Sequence, residues 1–239
     1  MRILIFTYRE INWILYCYAR MHMKHWGEKF TIIAEQEYIN SDEDFNGCYD
    51  FIKPPFENNE IEGGDYNEVL RWTLDERIDD DFVTIMCADY LIDKPVKKDI
   101  IEQTIEYMKL NPTVLRAQLG NHSGVNQRAT KTDEYKDIII KEHNFLPTSL
   151  TPGIWNRKNL LELMKNMNGS HTAWDVEIKG RDAFPSSGFR SIGVDPESIS
   201  YINALRGRNN NHIVISQDVY NATRDLIPDH VNLPNEVSR

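Results

Sequence analysis

Residues 82–89, with the sequence Phe-Val-Thr-Ile-Met-Cys-Ala-Asp, decide the fold. A short apolar run that includes β-branched residues is typical of a buried strand. The run leads directly into Asp89. Because open α/β sheets bind ligands at the carboxyl ends of their strands, Asp89 is a candidate ligand for a metal ion or a sugar hydroxyl. The alternative is a turn or helix-capping role, which aspartate often fills.

The N-terminal part of the chain predicts the same kind of sheet. Residues 2–8 form a short apolar run that indicates a buried strand. Apolar residues between 11 and 26 recur at helical spacing, and Gly27 follows where the helix should stop. Residues 30–34 form a second apolar run. A strand, a helix and a strand in this order imply parallel pairing.

The rest of the chain also alternates between helical periodicity and short apolar runs. It predicts an α/β protein with a mostly parallel sheet flanked by helices, in a single domain, because no repeat or change of composition marks a boundary. The polar stretch 120–137 is expected to be a long loop. The chain after Gly169 is mixed and is interrupted by Gly180, Pro185, Gly188, Gly193 and Pro196. Predicted helices cover residues 66–77, 96–110, 157–167 and 217–226, and predicted strands cover residues 113–119, 138–140 and 198–205.

Composition excludes several classes of protein. The 239 residues carry a net charge of −10, so a polyanion would have to be bound through a local patch or through shape. The three cysteines are widely spaced, which fits free thiols rather than disulfides or a zinc site. We expect a cytoplasmic protein with no membrane partner, since no apolar run approaches the roughly 20 residues that span a bilayer.

Known catalytic motifs are missing from the sequence. No Gly-rich phosphate loop, serine elbow or His-Glu-x-x-His motif occurs, so a nucleophilic triad or a zinc site has no support. The acidic cluster Asp79-Asp80-Asp81 precedes the strand that ends at Asp89, so it should lie at the opposite edge of the sheet. Three adjacent like charges are typical of a solvated turn.

Two tryptophans in the second half of the chain are candidates for binding a sugar or a base. Trp155 follows a Pro-Gly turn and precedes a predicted helix at Arg157. Trp174 is followed by Asp175 and Glu177. Aromatic faces stack on rings, and carboxylates bind sugar hydroxyls or act as a general base. The alternative is that both tryptophans belong to the core and both acids to the surface.

Taken in order, these segments resemble a family of GT-A-type glycosyltransferases of bacteria and phages. The likeness spans nearly the whole chain, and it rests on several weak motifs that occur in the right order. The segments are Phe6-Thr7-Tyr8, His25-Trp26-Gly27, residues 81–92, Pro95-Val96, residues 150–157, Trp174-Asp175-Val176-Glu177, residues 199–204 and Arg206-Gly207.

The resemblance implies a GT-A-type, Rossmann-like domain that transfers a hexose or pentose from a nucleotide-sugar, with a UDP-sugar favoured. Residues 1–119 would form the nucleotide-sugar-binding half, and residues 120–239 the acceptor-side half. The implied catalytic residues are Asp89 with Glu177 or Asp175. The implied donor-binding residues are Thr7, Tyr8, Arg9 and Asp89, and the acceptor-side residues are Trp155, Trp174 and Arg157.

The acidic motif departs from the family pattern, in which two acids stand together or one residue apart. Asp89 is flanked by Ala88 and Tyr90, and the next acid is Asp93. The implied Mn²⁺ or Mg²⁺ ion at Asp89 is therefore an open expectation, and Arg9 is a second candidate for neutralising the leaving diphosphate. A non-catalytic nucleotide-sugar-binding module remains the alternative function.

The acceptor stays open between two classes of molecule. One is a soluble glycan, and the other is a 5-hydroxymethylated pyrimidine in phage DNA. Trp155 or Trp174 would stack on a flipped base, and the polar stretch 120–137 would close over it. Several cations in the second half of the chain would contact phosphates: Lys131, Lys136, Arg157, Lys158, Arg181, Arg190, Arg206 and Arg208.

Overall fold

The computed structural model describes most of the chain and centres on a nine-stranded sheet. The strand order is β3-β2-β1-β4-β9-β6-β10-β8-β7, and all strands except β9 and β8 run in one direction. The described residues are 1–7, 13–35, 37, 39, 45, 47–55, 66–120, 129–144, 146–167, 172–209, 212–216, 219, 221, 223–226 and 237–238.

The bounds of the elements follow the chain. The strands of the large sheet are β1 (Arg2–Phe6), β2 (Phe30–Ile33), β3 (Tyr49–Ile52), β4 (Phe82–Cys87), β6 (Val114–Gln118), β7 (Lys131–Tyr135), β8 (Ile138–His143), β9 (Gly153–Asn156) and β10 (Arg190–Asp195). Short sheets are formed by β5 (Tyr90–Ile92) with β11 (Tyr201–Asn203), and by β12 (Leu205–Asn209), β13 (His212–Ser216) and β14 (Val237–Ser238). The helices are α1 (Ile14–His25), α2 (Tyr66–Trp72, continued by a π-helical turn Thr73–Arg77), α3 (Lys98–Leu110), α4 (Arg157–Met164) and α5 (Ala173–Ser187).

Helices cover both faces of the sheet, and each face has its own core. Successive side chains of a strand point to opposite faces, so Ile3 and Ile5 of β1 join one core while Leu4 and Phe6 join the other. The first core includes the buried faces of α1 and α3. The second includes those of α2, α4 and α5. This three-layer arrangement confirms the predicted α/β fold, a mostly parallel, Rossmann-like sheet flanked by helices in a single domain.

The expected element order is confirmed for the first half of the chain, and the second half differs from expectation. The segment expected to be a Pro-Gly turn contains β9, an antiparallel strand inserted between β4 and β6. The predicted loop 120–137 contains β7, and its residues 121–128 lie outside the described residues. The 15-residue helix α5 lies in the mixed part of the chain after Gly169, where no helix was predicted before residue 217. Of the predicted helix 217–226, the described part contains the 3₁₀ turn Arg224–Leu226.

Helix α1 is held to the sheet by an aromatic cluster around His22, which is completely buried. The His22 ring lies 4.7 Å from the Phe30 ring and 5.2 Å from the Trp26 ring, centroid to centroid. Its Nδ1 lies 3.0 Å from the Tyr18 hydroxyl, and its Nε2 lies 2.9 Å from the Glu28 carbonyl oxygen. A neutral ring satisfies both contacts, with Nε2–H donating to Glu28 and Nδ1 accepting from Tyr18.

We expect this histidine to make the fold sensitive to acid. Burial lowers the pKa of His22 from 6.5 to about 4. The unfolded chain therefore binds a proton between these pH values that the folded chain does not, so stability falls as pH falls through this window. The loss between pH 7.5 and pH 5 should be about 2 kcal/mol. Urea unfolding at both pH values checks it: His22→Gln should show a correspondingly flatter dependence, and equal slopes for both proteins would refute the prediction.

Candidate active site

The site lies where the sheet changes its direction of winding. From β1 the chain moves outward to β2 and β3, and it then crosses back to β4 on the other side of β1. Open α/β sheets bind ligands in the crevice at the carboxyl ends of the two strands that flank such a point. Here the crevice is bordered by Thr7 after β1 and by Asp89 after β4.

Backbone hydrogen bonds fix both segments at this edge. The Ala88 N–H donates to the Phe6 carbonyl at 3.2 Å, and the Thr7 N–H donates to the Ile33 carbonyl at 3.3 Å. The Thr7 side chain is 1% exposed, and its hydroxyl has no hydrogen-bond partner among the described residues. Thr7 therefore offers a hydroxyl group at the base of the crevice.

Asp89 combines partial burial with an unusual proton affinity. Its carbonyl oxygen accepts from the Ala204 N–H at 2.8 Å, which ties the end of β4 to the chain after β11. Burial, together with the smaller effect of the Glu177 charge, raises the pKa of the Asp89 carboxyl from 3.8 to about 6. Asp89 is ionised at neutral pH at a cost, and a bound cation or a donated hydrogen bond would offset that cost.

Glu177 approaches the same edge from α5. Its Oε1 atom accepts hydrogen bonds from the Leu150 N–H at 2.6 Å and from the Ser149 hydroxyl at 3.0 Å. The Thr148 hydroxyl donates to the Glu177 carbonyl oxygen at 2.9 Å. One turn later, a Cβ on Gly180 would lie 2.6 Å from the Thr148 Oγ1 atom, so a glycine is needed for this close packing. The 148–150 segment and α5 thus form one unit.

Apart from one buried arginine, the groups that interact electrostatically with the two carboxylates are a thiol and tyrosine rings. Burial raises the pKa of the Cys87 thiol well above its usual value, and the charges of Asp89 and Glu177 raise it further. Cys87 is therefore a neutral thiol and not a nucleophile. The Tyr90 and Tyr201 rings meet edge to face, with their centroids 5.0 Å apart. The charges of Asp89 and Glu177 act on Tyr90. The site is acidic and suited to binding hydroxyl groups or cations.

A buried arginine, which the sequence analysis did not single out, lies beneath the site. Arg116 of β6 is fully buried, and its Nη2 atom donates to the Thr151 carbonyl at 2.9 Å and to the Thr151 hydroxyl at 2.7 Å. Burial lowers the pKa of Arg116 to about 10, and the Glu177 carboxylate acts in the opposite direction. The signal that would have found it is a lone charge inside the apolar strand Val-Leu-Arg-Ala-Gln.

Two residues expected on the acceptor side are engaged elsewhere. Trp155 is 1% exposed and packs in the second core, with the Arg116 guanidinium carbon 5.3 Å from its ring centroid. Arg157 donates to the carbonyl oxygens of Leu74 and Asp80, at the end of β4 opposite Asp89. A buried ring cannot stack on an acceptor, and Arg157 is too far along the strand to contact one at Asp89.

The remaining predicted residues are divided between the site and its surroundings. Trp174 is 67% exposed at the start of α5, one helical turn before Glu177. Asp175 caps the same helix, because its Oδ2 accepts from the Thr172 N–H at 3.0 Å and from the Thr172 hydroxyl at 2.9 Å. Tyr8 and Arg9, expected to bind the donor, lie outside the described residues.

No cluster of three or more His, Cys, Asp or Glu side chains that could hold a metal ion occurs in the part of the chain that the structure describes. Asp89 is thus a single protein carboxylate at the strand end, with Glu177 nearby but hydrogen-bonded to the 149–150 segment. Among the same described residues, no helix has the length and apolar character needed to cross a membrane.

The fold and the site define an open α/β domain with an acidic crevice at its topological switch point. No protein-family model matches the chain, and no curated protein matches it in sequence. Solved structures with a similar fold include galactosyltransferase LgtC in complex with donor and acceptor sugar analogs (11% identity, TM-score 0.46, 96% of this chain and 81% of that chain). They also include apo UDP-glucose pyrophosphorylase (10% identity, TM-score 0.44, 84% of this chain and 92% of that chain). A third is GalNAc-T7 with UDP, GalNAc and Mn²⁺ (10% identity, TM-score 0.49, 93% of this chain and 47% of that chain).

Proposed function

We propose that the protein is a glycosyltransferase that moves a sugar from a nucleotide-sugar, with a UDP-sugar favoured, to an acceptor hydroxyl. One observation carries this proposal: the carboxylates of Asp89 and Glu177 interact electrostatically at the carboxyl edge of β1 and β4. Residues 1–119 supply Thr7 and Asp89 for the donor, and residues 120–239 supply Glu177 for the acceptor. The motif resemblance points to the same activity.

The two carboxylates suit different parts of such a reaction. In sugar transfer, an acceptor oxygen forms a bond to the anomeric carbon, the bond from that carbon to the diphosphate breaks, and the acceptor proton goes to a base. Glu177 is the candidate base on the acceptor side. Asp89 faces the donor, where its charge would hold a sugar hydroxyl or a cation.

A divalent cation fits this site through one protein ligand. The Asp89 carboxylate would bind it, and a cation would offset the burial that raises the pKa of that carboxyl. A bound Mn²⁺ or Mg²⁺ ion supplies neutralisation of the leaving diphosphate. Because a single carboxylate holds the ion weakly, we expect it to bind together with the donor rather than alone.

Donor binding is the direct test of the proposal. A ligand present at about 100 times its dissociation constant stabilises a protein by roughly 2.7 kcal/mol. Thermal unfolding with UDP-sugars, with and without Mn²⁺, should therefore shift to higher temperature, and the protein should release UDP. A panel of nucleotide-sugars that neither stabilises the protein nor is consumed would refute the proposal.

The second candidate is a nucleotide-sugar-binding module without catalysis. The single carboxylate at the strand end favours it, since the paired acids of the family pattern are missing. Turnover separates the two candidates. Stabilisation by a UDP-sugar with no hydrolysis and no transfer, under any metal condition, would favour the binding module.

A soluble glycan is the acceptor that we propose, in preference to DNA. Four of the cations that would contact phosphates are paired or distant: Arg190 pairs with Glu142, Arg181 with Asp182 and Lys136 with Glu106, and Arg157 lies at the opposite end of β4. A polyanion needs such contacts, and the chain is acidic overall. Mass measurement on hydroxymethylcytosine-containing DNA after incubation with each donor tests this, and an added sugar would overturn it.

Trp174 is the exposed ring best placed to bind a sugar acceptor. We expect Trp174→Ala to raise the acceptor KM by roughly tenfold, since an aromatic contact contributes about 1 kcal/mol beyond its buried area. Donor binding and the free energy of unfolding should stay nearly unchanged, because the side chain is 67% exposed. Steady-state kinetics check this, with Leu110→Ala, a comparably exposed site on α3, as the control. An unchanged acceptor KM would exclude Trp174 from the acceptor site.

A further inference from the structure

Arg116 reaches from the middle of the sheet to the edge that carries the site. It belongs to β6, where it pairs with Trp155 of β9. Its side chain runs past Gly153, since a Cβ on that glycine would lie 2.9 Å from the Arg116 Nε atom. The guanidinium then contacts Thr151, just before β9 begins. The Arg116 side chain can take this path because position 153 is a glycine.

A chain of hydroxyl groups joins Arg116 to Glu177. The Thr151 hydroxyl oxygen accepts from Arg116 at 2.7 Å and lies 3.4 Å from the Ser149 hydroxyl oxygen. The Ser149 hydroxyl donates to the Glu177 Oε1 atom at 3.0 Å. Because arginine only donates and a carboxylate only accepts, the two hydroxyl groups link a donor at one end to an acceptor at the other. A cation thus stands at one end of the chain and a carboxylate at the other.

Burying the charge of Arg116 costs desolvation free energy, and packing alone does not explain why a cation occupies this position. The side chain is fully buried, and its Nε and Nη1 atoms have no hydrogen-bond partner among the described residues. An apolar side chain of similar volume would fill the same space without the desolvation of a cation. The carboxylate that acts on the Arg116 charge is that of Glu177. The buried charge of Arg116 is therefore explained by its interaction with the Glu177 carboxylate.

We propose that Arg116 is a positioning residue that keeps the Glu177 carboxylate fixed in direction, acting through Thr151 and Ser149. Its catalytic consequence rests on the proposed function, in which Glu177 accepts the acceptor proton. Its structural consequence does not, because Glu177 also accepts from the Leu150 N–H at 2.6 Å. Weakening the hydrogen bonds between Arg116, Thr151, Ser149 and Glu177 should expose the Leu150 amide to exchange, whether or not the protein transfers sugars.

The experiment combines kinetics with hydrogen exchange on three variants. Thr151→Val and Ser149→Ala remove one hydroxyl each, and Arg116→Lys keeps the charge but loses the paired contacts to Thr151. We expect kcat to fall roughly tenfold for each hydroxyl variant, and up to about 100-fold for Arg116→Lys. The donor KM should stay unchanged, and the Leu150 amide should exchange faster. Adding Thr151→Val to Arg116→Lys should lower kcat little further, since both break the same chain.

The controls separate this role from a purely structural one. Thr132→Val, on the exposed edge strand β7, should change neither kcat nor Leu150 exchange. The Ile32 amide of β2 reports global unfolding and should exchange as in the wild type. Unchanged Leu150 exchange in Thr151→Val and Ser149→Ala, or fully additive kcat losses, would overturn the proposal. If Arg116→Lys does not fold, the two hydroxyl variants decide.

The failure of the proposed function gives a different result. A wild-type protein that turns over no nucleotide-sugar removes the kinetic readout and the catalytic role of Glu177. Faster Leu150 exchange in Thr151→Val and Arg116→Lys, which alter the contact between Thr151 and Arg116, would then still establish the link from Arg116 to Glu177.

Discussion

Asp89→Asn should remove most sugar transfer while making the folded protein more stable at neutral pH. The activity loss follows from the position of Asp89 at the end of β4, where its charge would act on the donor. Removing one electrostatic contact of this kind typically costs about 100-fold to 1000-fold in kcat. UDP release and transfer to an acceptor, measured at saturating donor, check this part of the prediction.

The stability gain follows from the pKa of Asp89. Burial raises that pKa from 3.8 to about 6, so between these values the folded chain binds a proton that the unfolded chain has released. The stability of the wild-type protein therefore falls as pH rises through this window. Asparagine carries no charge, so Asp89→Asn should gain on the order of 2 kcal/mol over the wild type at pH 7.5. The difference should shrink as pH falls from about 6 to about 4, and it should be small below pH 4, where Asp89 is protonated in both the folded and the unfolded protein.

Asp81→Asn is the matched control, because Asp81 is an exposed acid at the opposite end of β4. It should leave transfer and the pH dependence of unfolding unchanged. If Asp89→Asn kept full activity, Asp89 would be a turn residue. If Asp89→Asn lost both activity and stability at pH 7.5, the charge of Asp89 would already have a stabilising partner in the folded protein.

The parts of the fold that the sequence predicts are those coded locally. Strand β4 is a continuous apolar run, and α1 combines helical spacing with Gly27, which adopts a positive φ after the helix. The end of such a strand is also predictable, which is why Asp89 was found. Pairing partners are not coded locally. Strand β9 has only four residues, and its antiparallel position between β4 and β6 depends on residues distant in the chain.

Local signals were misleading where packing overrides them. Gly180 and Pro185 argue against a helix, but α5 forms because Gly180 fits against Thr148 and Thr172 caps the first turn. Trp155 looked like a stacking residue because a Pro-Gly pair precedes it, and its place in the core follows from its position in β9. The approach of Glu177 to Asp89 depends on the docking of α5, which no local pattern contains.

Glu177→Gln should slow transfer by about 100-fold to 10,000-fold while leaving donor binding intact, if Glu177 removes the acceptor proton. Glutamine keeps an oxygen that can accept from Leu150 and Ser149, so the 149–150 segment should remain in place. The charge of Glu177 raises the pKa of Asp89, so its loss should lower that pKa. Any pH dependence of donor binding that comes from Asp89 should therefore shift to lower pH.

Asp175→Asn distinguishes the role of a catalytic base from that of a helix cap, because Asp175 and Glu177 both lie near the start of α5. Asp175 accepts from the Thr172 N–H and hydroxyl, so its substitution should cost up to about 1 kcal/mol of unfolding free energy and little activity. Stopped-flow or steady-state assays with donor titrations measure both variants. Parallel losses of donor affinity and transfer in Glu177→Gln would show that Glu177 only holds the 149–150 segment, and a large kcat loss in Asp175→Asn would move the role of base to Asp175.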